Sequence, residues 1–282
     1  MRRHSLRGTL IAISVVCLFA VASVAGASLV VGWTFTSVNS RGTMIDISDA
    51  GNVLSLQSPN SAPQQYDHID GVPAVPPVEG YVLCYTNPIS GAAVQTFDLG
   101  GPQAGWGPAV LSNLTPTTAR VQRDTLDGIF RLTMDFTFQG ETRGLHIRHT
   151  LENISPVPVP AGVVFRRHVD LNIDSGGPSG WAAPAVNNFM RTRDSVTAWN
   201  DPAAAPAGRQ ANGVVLSHLS APNQTPLTKI TDPGPVNACN PPALGNLLLG
   251  FNAGATLQYN IAGPVNPGAA GARVITMRYY RI

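Results

Sequence analysis

Lysine is almost missing from this 282-residue chain: of 18 basic side chains only Lys229 is one, and charged residues make up 12% of the total. That is about half the usual share of charge. No basic cluster follows Arg7, so the electrostatic footprint of a nucleic-acid binder is absent and no such partner is expected. Helical periodicity is nearly lacking after residue 27, and no internal repeat stands out. Also missing are a Gly-x-Ser-x-Gly elbow, a His-Glu-x-x-His pair, a phosphate loop and a dinucleotide fingerprint. Their absence removes the best-marked hydrolase, zinc-peptidase and nucleotide-dependent classes.

Cysteine is scarce too, and its placement is informative. Cys17 lies in an apolar run, Gly8 to Val24, behind Arg2, Arg3 and Arg7. Ala25-Gly26-Ala27 supplies the small-x-small pattern of a signal-peptidase site, so residues 1–27 read as a signal-peptide helix removed before Ser28. An uncleaved anchor is the rival reading, because the run approaches the roughly 20 residues that span a bilayer. The chain's formal charge is +2; removing three arginines and no acids leaves a near-neutral domain with no global field to draw it to an anionic membrane. The expected location is extracellular or periplasmic. In an oxidising compartment the remaining pair, Cys84 and Cys239, is expected to form one disulfide.

Two-residue alternation fills the rest. Candidate strands are 29–36, 43–48, 52–57, 79–86, 93–98, 117–123, 128–138, 143–152, 162–174, 194–199, 213–219, 245–251, 255–261 and 272–281, separated by Gly, Pro, Asn and Asp. Many short strands between turn signals predict an all-β fold, a large antiparallel β-sandwich over 28–282 as one domain. Segments 201–212 and 221–243, rich in Pro, Ala, Asn and Gly, read as surface loops. Three successive strands, 128–138, 143–152 and 162–174, most simply form a meander. Phe130, Leu132, Met134, Phe136 and Phe138 would then face inward with Leu145, Ile147, His149 and Leu151.

The opposite rows carry the chemistry. Arg131, Asp135, His146, Arg148, Glu152, Arg166, His168 and Asp170 would lie side by side on one polar face, suited to multidentate hydrogen bonding of a glycan or other cell-envelope component. The same rows would equally serve as an ordinary wet sheet face. Arg167 falls on the apolar row and must find a partner or reach an edge. Trp181 and Trp199 are candidate sugar-stacking platforms. Asp170-x-Asn172-x-Asp174-Ser175-Gly176 approaches the start of a calcium loop, but its glycine comes one residue late and Trp181 stands where the bidentate glutamate belongs. No cofactor or metal is therefore expected, with calcium on Asp170, Asn172 and Asp174 as the minor alternative.

At Arg166-Arg167-His168-Val169-Asp170-Leu171-Asn172-Ile173 the chain resembles a group of largely uncharacterised bacterial secreted proteins, whose corresponding strand reads Tyr-Arg-Arg-Val-Met-Asp-Trp-Asp-Ile. His149-Thr150-Leu151-Glu152-Asn153 resembles a second strand end of that group. The resemblance implies a large sandwich of the galactose-mutarotase-like kind and brings no established activity. Leu171 replaces the tryptophan and Asn172 the second aspartate, which weakens any carried-over paired-acid site. Sugar chemistry on such a fold would draw on His146, Glu152, His168 and Asp170 as acid–base groups. Three readings follow: a secreted carbohydrate-binding module, a structural envelope protein, or a mutarotase- or hydrolase-like enzyme.

Overall fold

The computed structural model describes residues 31–36, 43–60, 64–67, 78–139, 144–171, 187–199, 213–221, 224, 226–233 and 237–282. The proposed signal segment 1–27, together with Asn172, Asp174 and Trp181, lies outside the described residues.

In chain order the strands are β1 (Val31–Thr36), β2 (Met44–Ser48), β3 (Val53–Asn60), β4 (Gln64–Asp67), β5 (Glu79–Thr86), β6 (Ala93–Asp98) and β7 (Gln103–Ala104). They continue as β8 (Val110–Ser112), β9 (Thr118–Asp124), β10 (Phe130–Gln139), β11 (Gly144–Asn153), β12 (Val164–Asp170) and β13 (Asn187–Arg191). The remainder are β14 (Ser195–Trp199), β15 (Gly213–Ser220), β16 (Pro226–Thr231), β17 (Leu247–Phe251), β18 (Gly254–Asn260) and β19 (Arg273–Arg281). Among the described residues only the 3-10 turn Ala269–Gly271 is helical.

These strands build three antiparallel sheets: β1-β2-β3-β4, a nine-stranded β17-β13-β14-β15-β19-β11-β10-β9-β8, and a six-stranded β16-β18-β12-β5-β6-β7. The two large sheets face one another as a sandwich. Alternation aims Leu132, Met134 and Phe136 (β10), Ile147 (β11) and Met277 (β19) at Leu83 (β5), Phe165 and Val169 (β12) and Leu257 (β18). Each fully buried side chain of this kind contributes about 1.5–3 kcal/mol of transfer free energy. The small sheet joins the same core through Phe35, whose ring stacks on Phe138 at 5.7 Å. Between β2 and β3, Gly51 has φ +88°, and an added Cβ would meet Met134 Cε at 2.4 Å. Only glycine suits that turn.

The expected meander is corrected at its third strand. β10 and β11 pair in register from Phe130↔Asn153 to Gln139↔Gly144, but β12 lies in the opposite sheet between β18 and β5. The cause is the link after β11. Pro156, Pro158 and Pro160 cannot donate to a ladder, so the chain does not fold straight back into the same sheet. Asn153 organises the arch instead: its Nδ2 donates to Val157 O (2.8 Å) and Val265 O (2.9 Å), and its Oδ1 accepts from Ser155 N and Oγ.

Two further strands lie where alternation gave none. β16 falls within 221–243, where Pro226, Thr228 and Ile230 face inward with too little apolar character to signal a strand. β13 precedes the 194–199 strand, and its Phe189 enters the core.

Residues 237–244 form a strap across the outer face of the six-stranded sheet. Gln95 Nε2 of β6 donates to Asn237 O. Cys84 of β5 and Cys239 form the expected disulfide. Lys229 Nζ of β16 donates to Asn240 Oδ1 (2.6 Å), Pro241 O (2.9 Å) and Gln258 Oε1 of β18 (3.0 Å). Leu244 N then donates to Ile230 O at 2.8 Å.

Candidate functional site

The outer face of the nine-stranded sheet is built by antiparallel register. Ser195 lies opposite Ser217, Ser217 opposite Arg278, Arg278 opposite His146, His146 opposite Thr137, and Thr137 opposite Thr118. One transverse row therefore carries six polar side chains on six adjacent strands, about 4.8 Å apart. Tyr280 stands two residues along β19 from Arg278 and on the same face. Its ring supports the guanidinium, with Arg278 Cζ 4.3 Å from the ring centroid.

His146 and Arg278 form the centre. Burial first, and the positive charge of Arg278 second, lower the His146 pKa below its ordinary value, which keeps the imidazole neutral. Its Nδ1 lies 3.3 Å from Gln139 Nε2. A neutral imidazole can donate from one nitrogen and accept at the other, which suits a sugar hydroxyl.

The neighbouring rows hold the expected ionic residues, tied to one another. Arg131 makes two 2.8 Å bonds to Asp124. Asp135 accepts from Arg120 Nε at 2.5 Å and lies 3.7 Å from Arg148. Such exposed pairs contribute about 0.2–1 kcal/mol each. Trp199, half-buried on β14, occupies the same face. So Arg131, Asp135, His146, Arg148 and Glu152 share one surface, as alternation along β10 and β11 implies, and Trp199 joins them there.

Arg166, His168 and Asp170 do not join them. They form a separate row on the outer face of the six-stranded sheet, on the far side of the core, and all three are buried. The reason is the switch of sheets made after Asn153. Burial lowers the Arg166 pKa to about 10. His168 Nδ1 meets Thr256 Oγ1 at 2.9 Å, and an added Cβ on Gly254 would meet His168 Cε1 at 2.5 Å. The four candidate acid–base residues thus split: His146 and Glu152 lie on one outer face, His168 and Asp170 on the other. Even His146 and Glu152, six residues apart on one strand, are separated by about 20 Å. Among the described residues no group of three His, Cys, Asp or Glu side chains is placed to hold a metal.

Arg167 finds its partner in the core. Its Nε donates to Glu79 Oε1 at 2.5 Å, and its Nη2 to Glu79 Oε2 and Gly51 O at 2.9 Å. Its Nη1 lies 3.1 Å from His149 Nε2. Glu79 also accepts from Val53 N (2.6 Å) and Tyr279 Oη (2.7 Å). Burial and the adjacent guanidinium push the His149 pKa well below its ordinary value, so the imidazole stays neutral and its Nε2 accepts. In a second buried cluster Arg123 Nη1 donates to Asp98 Oδ2 at 2.5 Å and to Tyr81 Oη at 2.9 Å. Both clusters join the sheets rather than lining a surface, and they are structural.

Sequence reasoning missed Arg278, Tyr280 and Ser217. Their strands were legible from alternation, but the pairing that sets β19 between β15 and β11 connects distant parts of the chain and leaves no local signal.

The fold and face define a large antiparallel β-sandwich with one wet, arginine-bearing sheet surface. No family model matches the sequence, and no curated protein matches it. Among solved structures, the chain is similar to a bacterial glucoamylase complexed with acarbose, with TM-score 0.54 and 10% identity over 91% of this chain and 32% of that one. It thus spans about a third of that protein's length. A galactose mutarotase related enzyme from Lactobacillus acidophilus aligns with TM-score 0.45 and 11% identity over 89% of this chain and 97% of its own. The likeness to the glucoamylase is one of fold.

Proposed function

We propose that this protein is an exported carbohydrate-binding module whose ligand lies on the outer face of the nine-stranded sheet, across the row centred on Arg278 and His146. The observation that carries the reading is that row: six hydrogen-bonding side chains on six adjacent strands, with Tyr280 and Trp199 on the same surface. Hydroxyl, imidazole and guanidinium groups at strand spacing offer donors and acceptors in alternation, which is what a polyhydroxylated ligand needs. Fold likeness to an acarbose-complexed glucoamylase supports the carbohydrate class. Export is supported by the apolar N-terminal run and by the Cys84–Cys239 disulfide. No helix among the described residues is long and apolar enough to cross a membrane.

The arrangement favours binding over turnover. Glycoside hydrolysis needs two carboxyl groups at a defined separation across the scissile bond. Here Asp124 and Asp135 are both engaged by arginines, and Glu152 stands far from His146. The test is calorimetric titration with a saccharide panel, repeated on the His146→Ala, Tyr280→Ala double variant. Saturable binding lost in the variant at unchanged melting temperature is expected. Absence of any saccharide binding at millimolar concentration overturns the proposal.

A further inference from the structure

Among the described residues, the outward charges on the four central strands of the proposed binding face do not cancel. On β9, β10, β11 and β19 the outward side chains include Arg120, Arg131, Arg148 and Arg278 against Asp124, Asp135 and Glu152. Asp124 is bound to Arg131 by both oxygens. Asp135 serves Arg120 and Arg148. Glu152 lies opposite Arg131 in the ladder. Arg278 alone has no carboxylate within ion-pair distance among the described residues.

It is also a prepared cation. Its Nε is buried and donates no hydrogen bond among the described residues, whereas neither Nη is a buried atom without a partner. The Tyr280 ring lies against the guanidinium at 4.3 Å, so the planar group is held in place before a ligand arrives and less side-chain entropy is lost on binding. In a chain with 12% charged residues, an unbalanced, stacked arginine in the middle of a polar row is a specific feature.

Resting on the carbohydrate-binding reading, we infer that the ligand is an acidic saccharide, a uronic-acid-containing glycan whose carboxylate docks on the Nη edge of Arg278. A planar carboxylate matches the two parallel N–H groups of that edge. The ring hydroxyls of the same or the next sugar then fall toward His146 and Thr137, about 5 and 10 Å along the row. His146, neutral beside the arginine, reads hydroxyls without competing for the carboxylate. A single guanidinium balances one negative charge, which argues against a phosphate dianion. A sulfate ester is the alternative to be separated by experiment.

The experiment titrates the full-length mature protein with trimers of galacturonate, glucuronate and mannuronate, with their methyl esters, and with a sulfated galactose trimer. It is repeated on Arg278→Ala and Arg278→Gln, with melting temperatures recorded. The inference expects at least one uronate trimer to bind tenfold or more tighter than its ester. It also expects that margin to fall below threefold in both variants at unchanged melting temperature, and to shrink with added salt. Equal binding of acid and ester, a margin that survives both substitutions, or a preference for the sulfated trimer overturns the acidic-sugar assignment while leaving carbohydrate binding intact. Failure of every trimer, neutral or charged, overturns the carbohydrate reading and the inference with it.

Discussion

Tyr279 and Glu79, 200 residues apart in the chain, share a 2.7 Å hydrogen bond at the centre of the sandwich. The phenol belongs to the nine-stranded sheet and the carboxylate to the six-stranded one. The same carboxylate neutralises Arg167, so one acid joins both sheets and satisfies a fully buried guanidinium.

Glu79→Gln should therefore be costly. It leaves the fully buried Arg167 guanidinium without a counter-charge, and breaking a buried pair from one side typically costs about 3–5 kcal/mol. Urea unfolding of the variant is expected to show that loss. A loss below 1 kcal/mol would mean that Arg167 reaches water or another anion.

Acid should weaken the fold through His149. Its pKa is depressed in the native state from an ordinary 6.5, so below about pH 6.5 the unfolded chain binds a proton that the native one refuses. Stability is full above that pH and is lost as pH falls below it, at about 1.4 kcal/mol per unit. Between pH 7 and pH 5 stability should fall, with smaller additions from the half-buried His146 and His218, whose pKa values are also lowered. His149→Gln should flatten the slope measured by unfolding at each pH.

The Cys84→Ala, Cys239→Ala double variant should lose about 3–5 kcal/mol, since the bond closes a separation of 155 residues. Limited proteolysis should then cut first within 237–244, where the strap loses its covalent anchor. Resistance equal to that of the parent would show that Lys229 and Gln95 hold the strap unaided.

Neighbouring positions on β10 provide a control on the inward and outward rows. Leu132→Ala should cost about 2–5 kcal/mol, whereas Thr133→Ala should stay within about 0.5 kcal/mol. Similar costs at both positions would contradict the burial pattern.

Most of the sandwich could be read from alternation. Phe130 to Phe138 and Leu145 to Leu151 face the core as their two-residue period requires, and the disulfide followed from the two cysteines outside the apolar N-terminal run. The face on which Arg166, His168 and Asp170 lie could not be read, because alternation separates two sides of a strand without saying which sheet the strand joins. The link with Pro156, Pro158 and Pro160 reads equally as a meander turn, and the destination of the strand after it depends on β5 and β18, remote in the chain. Arg278 escaped notice for the same reason: its row neighbours His146 and Ser217 arrive from other segments.

The position of β19 has a consequence for biogenesis. Arg273–Arg281 comes last in chain order among the described strands yet occupies the middle of the nine-stranded sheet, with four strands on either side. Until it has been synthesised, β15 and β11 have no shared neighbour, and the unfinished protein consists of two half-sheets with naked edges. Such edges invite pairing with other chains. Assembly of the sheet must wait for β19, and a nascent chain needs shielding from its fellows until that strand slots between the halves.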